Sequence, residues 1–251
     1  MAGWPRTEAE LERVQEQLAE RALTTELWRP PAEPHLVAGV FVAFSTGRAE
    51  GTASGEWAWA AAASLESGQG RSSAVCSGAV GAEYAPGYLA LREGRLLERA
   101  VRSLDMRPDV LIVNASGRDH PRRAGLALHL GAVLDIATVG VTDRPLVADD
   151  AQPGRERGAQ APLHLEGELV GYRLRTRRGA RPVCVHAAWR TDSDTAREVV
   201  MAAVQRARTP EPLRVARFLA RSTRAQDEGR APPGWVQGAV PSRAGEVERP
   251  T

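Results

Sequence analysis

The chain has 251 residues, 43% of them hydrophobic and 25% charged, the proportions of an ordinary globular protein large enough for one domain with a buried core. A formal net charge of +2 neither demands nor excludes a nucleic-acid partner, and two cysteines, Cys76 and Cys184, are too few for a disulfide framework or a thiolate zinc site. With no apolar run near the roughly 20 residues of a membrane span and no secretory core at the N-terminus, a cytoplasmic protein without a membrane partner is expected.

Residues 7–22 carry a capping-box start, Thr7 with Glu10, and apolar positions Leu11, Val14 and Leu18 at helical spacing. Residues 35–44, "HLVAGVFVAF", are apolar and β-branched, as a central strand buried on both faces would be. Residues 56–65 and 71–80 continue as two further strands of an antiparallel meander. "EYAPGYLALREGRLLERAVRSL" reads as a Pro-Gly loop and a helix, followed by the buried strand "PDVLIVNAS". "HPRRAGLALHLGAVLD" supplies a second helix and "IATVGVTDRPLV" the next strand, so parallel strands are added to the meander.

Past a polar loop at 148–161, "LHLEGELVGYRLRTR" predicts a hairpin with a Glu-Gly turn, "RPVCVHAAW" a short strand, and "DSDTAREVVMAAVQRA" a helix with an aspartate near its N-cap. "EPLRVARFLARSTRAQ" makes the last helix. One domain is expected over 1–226, with a disordered tail over 227–251 that is rich in Pro, Gly, Arg and Glu.

All 33 basic side chains are arginine. No lysine can serve as base, Schiff-base nucleophile or phosphate clamp. The segment "GRAEGTASGE" is a turn, not a phosphate loop, because it lacks the Gly-Lys-Ser/Thr ending and the helix that should follow.

Four segments together are distinctive: "LVAGVFVAF", "YAPGYLALREG", "PDVLIVNASGRDHPRRAGLALHLGAVLDIATVGVTD" and "RPVCVHAAWRTDSDTA". In order and spacing they resemble bacterial endonuclease V. The resemblance implies an α/β, ribonuclease H-like mixed sheet, an antiparallel meander plus parallel strands flanked by helices. It also implies magnesium-dependent cutting of DNA or RNA beside hypoxanthine, the base of deaminated adenine. The family's functional residues carry over unevenly. Its first-strand metal-binding aspartate falls at Phe41, and its helix-leading glutamate is kept as Glu93. The aspartate at the fourth strand's tip is Asn114, and the lysine after the next strand is Asp143. The late histidine is aligned with Trp189, with His186 three residues earlier.

Magnesium wants hard oxygen ligands, preferably carboxylates, in octahedral geometry. Phenylalanine offers none, and asparagine offers an oxygen without the charge. No metal or other cofactor is therefore expected. Glu93, Asn114 and Asp143 are the candidate catalytic residues. Phe41, Tyr84, His120, Arg122, Arg123, His186 and Trp189 are the candidate substrate-binding ones. Tyr84 falls on the Pro-Gly loop that matches the family's wedge loop, where it could stack on a base or merely cap a turn. Arg122 and Arg123, beside a helix start, suit an anion or simply anchor the loop.

Two functions are expected from these residues. The leading one is a repurposed, metal-independent enzyme in which Glu93 is general base on a small anionic metabolite, in an elimination or displacement reaction. The alternative is a nucleic-acid-binding protein, or an atypical endonuclease, acting at deoxyinosine. A protein partner is possible, and the sequence does not reveal which.

Overall fold

The structure, a computed structural model, describes residues 4–33, 35–46 and 56–230. The first helix, α1 (Glu8–Thr24), starts at the expected cap: Thr7 accepts from the Glu10 amide, while the Glu10 carboxylate reaches one residue beyond the cap and accepts from the Arg6 amide. The meander follows as β1 (Leu36–Phe44), β2 (Trp57–Glu66) and β3 (Gln69–Ala79), paired antiparallel as expected. Next come α2 (Leu89–Arg102), β4 (Val110–Val113), α3 (Leu126–Leu134) and β5 (Ala137–Thr142). The hairpin is β6 (Gln160–Leu165) and β7 (Glu168–Leu174), turned at Glu166 and Gly167, both at positive φ, which is the primed geometry that matches strand twist. β8 (Val183–Ala187), α4 (Ser193–Ala203) and α5 (Glu211–Asp227) complete the described chain. Most of the expected turn at 47–56 and nearly all of the expected tail lie outside the described residues.

Eight strands form one sheet in the order β3-β2-β1-β4-β5-β8-β7-β6. β1, β4 and β5 run parallel, so their carboxyl ends open at one edge of the molecule, where open α/β sheets bind ligands. β8 runs antiparallel to β5. α1, α2 and α3 cover one face, over a core that includes Leu11, Leu96, Leu111, Val113 and Leu128. α4 and α5 cover the other, over Ile112, Val139, Val185, Val200 and Leu213.

The seam between β1 and α5 is unusually close. A methyl group added at Gly39 would lie 2.3 Å from the backbone of Pro212 and Leu213. Only glycine lets the helix lie that near the strand. Gly39 thereby sets how α5 lies along β1, and with it which helix residues stand over the strand's far end.

Candidate functional site

Val40 pairs with Val113 across β1 and β4, so Phe41 and Asn114 stand side by side one residue further on. β5 ends beside them at Thr142, with Asp143 next in the chain. The strand pattern is therefore enough to gather three of the expected positions. Asn114 is exposed, whereas Phe41 is half-buried beneath α5.

The charges around these positions differ from a metal centre. The Arg217 guanidinium lies 5.0 Å from the centre of the Phe41 ring and that of Arg221 lies 5.6 Å away. Arg208 pairs with the Asp143 carboxylate. That hydrogen bond, with Arg217 and Arg181 nearby, holds Asp143 below the usual carboxylate range. Burial lowers the pKa of Arg217, and its neighbours Arg221 and Arg208 lower it further, with Asp143 opposing. These arginines were not singled out from the sequence. The available signal was Arg217 and Arg221 at i, i+4 on the last helix, a spacing that puts both on one helical face.

Glu93 lies on α2, in a different electrostatic setting. Burial pushes its carboxyl up to about 7, with Arg92 opposing and Glu56 reinforcing the shift. Its charged neighbours and those of Asp143 do not overlap. Among the described residues no group of three or more His, Cys, Asp or Glu is placed to hold a metal ion. The raised pKa has a consequence for folding. Glu93 ionises near its ordinary value of 4.5 when unfolded and only near 7 when folded, so stability falls as pH rises through that window. Glu93→Gln is expected to melt higher than the parent chain at pH 8, with the advantage gone below pH 4.5. Melting curves at the two pH values decide it.

On the opposite side of Asn114 lies a cavity of about 170 Å³, lined by Tyr84, Leu89, Asn114, Leu126, Thr142 and Arg144 among others. Tyr84 stands at its rim with 67% of its surface exposed. The loop that carries it is tied down from below. The Gly87 carbonyl accepts from His120 Nε2 at 3.0 Å, Gln15 Nε2 at 3.2 Å and Arg122 Nη2 at 3.4 Å. Gly87 itself sits at φ 83°, a backbone state glycine enters freely. His120 is buried and its pKa is pushed down to about 4, so the ring is neutral and its Nδ1 is free to accept from the Arg122 amide. His120 is a positioning residue.

Several expected site residues serve the scaffold. Arg122 reaches Gln15 and Glu12 on α1 and lies over the Tyr88 ring. Arg123 is held by Glu166, Glu168 and the Leu165 carbonyl of the β6–β7 hairpin. Both anchor loops, the second of the two roles their positions allowed. His186 is fully buried, bonded to Thr142 Oγ1 at 2.8 Å and 3.6 Å from Asp119, with its pKa pushed down to about 4 by burial. Asp119 in turn accepts from the amides of Leu146, Val147 and Ala148, fixing the loop after β5.

Trp189 is nowhere near the cleft. Because β8 is antiparallel to β5, its carboxyl end meets the start of β5: the Trp189 amide donates to Thr138 Oγ1, and its carbonyl accepts from the Thr138 amide. The indole is 1% exposed and packs in the core. Trp189, expected among the substrate-binding residues, is thus placed in the core by strand direction.

A meander extended by parallel strands, flanked by helices on both faces, defines a ribonuclease H-like protein. The sequence model of the endonuclease V family matches residues 16–218. An endonuclease V from Roseiflexus sp. (strain RS-1) is 38% identical over 219 residues, 86% of this chain and 93% of that one. The chain belongs to the endonuclease V family. The crystal structure of endonuclease V from Streptomyces avermitilis is similar at a TM-score of 0.79 and 35% identity, covering 91% of this chain and 97% of that one. That of the Ciona intestinalis enzyme, in complex with a DNA 24-mer containing an inosine followed by a ribo-adenosine, shares the fold at a TM-score of 0.68 and 20% identity, over 86% and 96% of the two chains.

These findings overturn the expectation of an enzyme acting on a small anionic metabolite. The relatives along nearly the whole chain are endonucleases V. The geometry agrees. The cavity falls below the roughly 300–1,000 Å³ of pockets that enclose a whole small molecule. The arginines meant to grip an anionic substituent are committed to loops, and Trp189 forms no wall. Among the described residues no helix is long and apolar enough to cross a membrane.

Proposed function

We propose that the chain binds nucleic acid at an extruded base, with hypoxanthine as the base class that the family's activity suggests, and that it does so without the family's cation. The observation that carries this reading is the exposed Tyr84 ring at the mouth of a cavity sized for one flat heterocycle. Base–aromatic stacking contributes about 1–3 kcal/mol per base. Asn114 and Arg144, both on the cavity lining, supply hydrogen-bonding groups for a base edge. A cytoplasmic setting fits this role.

The residues present do not fit a magnesium ion. Phe41 has no donor atom, Asn114 brings a neutral oxygen, and three guanidiniums crowd the same edge of the sheet. A divalent cation seated there would meet repulsion and find too few hard ligands.

The test is binding of a single-stranded oligonucleotide carrying one inosine against the same strand with adenosine. The inosine strand is expected to bind more tightly, and Tyr84→Ala to weaken it about tenfold or more without moving the melting temperature. Equal binding of both strands, or of neither, overturns the reading. A second reading, residual strand cleavage, is favoured by one observation: a Glu93 carboxyl near 7 is suited to accept a proton from water. It requires nicking of the inosine strand that disappears in Glu93→Gln.

A further inference from the structure

The edge of the sheet around Phe41 and Asp143 carries an excess of positive charge that the described residues do not neutralise. Arg217 and Arg221 lie over Phe41, and neither has a hydrogen bond or ion pair among the described residues. The buried Nε atoms of Arg217 and Arg208 are also without hydrogen-bond partners among the described residues. Among the described residues the carboxylate that acts on Arg217 is Asp143, and Arg208 already pairs with it. Like charges brought together without counter-charge raise the free energy of the folded chain, unless something else supplies the missing sign.

We propose that Arg208, Arg217 and Arg221, with the Phe41 ring as floor, form an oxyanion seat that takes a phosphodiester of the bound strand at the place where the family's cation would lie. Guanidinium groups suit this because they present forked donors to phosphate oxygens and keep their charge at any physiological pH. Phe41 then has a function that a carboxylate could not perform. Its ring face attracts the guanidiniums and holds them over the strand end, while its apolar edge leaves their donors turned to the ligand. The position of Asn114 connects the two halves of the cleft, since it lines the base cavity and stands beside Phe41. A neutral amide there also avoids repelling the phosphate. The asparagine and the arginines thus serve one end: the site attracts anions where the family's carboxylates would attract a cation.

This inference rests on the nucleic-acid reading for the identity of its ligand, but the seat itself can be tested with inorganic pyrophosphate. At low salt, pyrophosphate is expected to raise the melting temperature of the intact chain, as any ligand of the folded state does. Arg217→Met/Arg221→Met is expected to lose that response, and its own melting temperature to be unchanged or higher because repulsion is relieved. Should the double variant fail to fold, Arg221→Gln at the exposed position is expected to weaken pyrophosphate binding about tenfold, while Asp143→Asn, which removes the opposing carboxylate, is expected to strengthen it. A chain that pyrophosphate does not stabilise, that pyrophosphate stabilises equally in the double variant, or that manganese alone stabilises instead, overturns the seat.

With the inosine strand, the same double variant is expected to flatten the dependence of log affinity on log salt by about 1.4, the value for two phosphate contacts on single-stranded nucleic acid. If pyrophosphate protects the chain but the strand does not bind, the seat stands and the nucleic-acid reading falls. If the strand binds with a slope that the arginines do not affect, the reading stands and the seat falls.

Discussion

Gly39→Ala is expected to destabilise the chain by about 3 kcal/mol, at the upper end of what overpacking costs. The added methyl would meet backbone atoms of Pro212 and Leu213 at 2.3 Å, and backbone cannot rotate out of the way as a side chain can. Helix α5 must lift from β1, and the contacts of Val215, Ala216 and Ala220 with the sheet would loosen with it. Arg217 and Arg221 ride on the same helix, so the substitution is also expected to abolish the response to pyrophosphate in whatever fraction remains folded. Urea denaturation followed by circular dichroism measures the first effect. A midpoint within experimental error of the parent chain would mean that the helix does not lie where Gly39 puts it.

Trp189→Ala is expected to cost about 3–5 kcal/mol, the range for emptying a large aromatic site in a core. The indole is almost wholly enclosed, stacked beneath Arg21 at 5.0 Å. Its N–H has no partner among the described residues, so Trp189→Phe is expected to cost much less: the smaller ring leaves a modest void but buries no unpaired donor. Neither substitution should change the preference for inosine once binding is measured well below the melting temperature. A selective loss of inosine binding in a fully folded Trp189→Phe chain would return this residue to the cleft and overturn its placement at the far end of β5.

Much of the architecture was legible in the sequence because it rests on local patterns. The meander could be read from its apolar runs, the first helix from Thr7 and Glu10, and the hairpin from Glu166 and Gly167. The positions of Phe41, Asn114 and Asp143 could be read too, since residues just past the ends of parallel strands gather at one edge whatever the register. What could not be read was direction. "RPVCVHAAW" is a strand in either orientation, and only its antiparallel pairing with β5 decides that Trp189 ends up in the core instead of the cleft. The arginines of α5 were missed for a related reason. Their meaning depends on a contact across nearly 180 residues of sequence, which Gly39 makes possible and which no local pattern announces. Arg122 and Arg123 show the converse: a local signal for anion binding was present, but tertiary partners had already claimed both side chains.

The three donors that converge on the Gly87 carbonyl bear on how fast the chain meets its ligand. A loop held in place before the encounter imposes no ordering delay on capture. Association should then approach the rate set by diffusion and long-range attraction, and differences between one base and another should appear almost entirely in residence time.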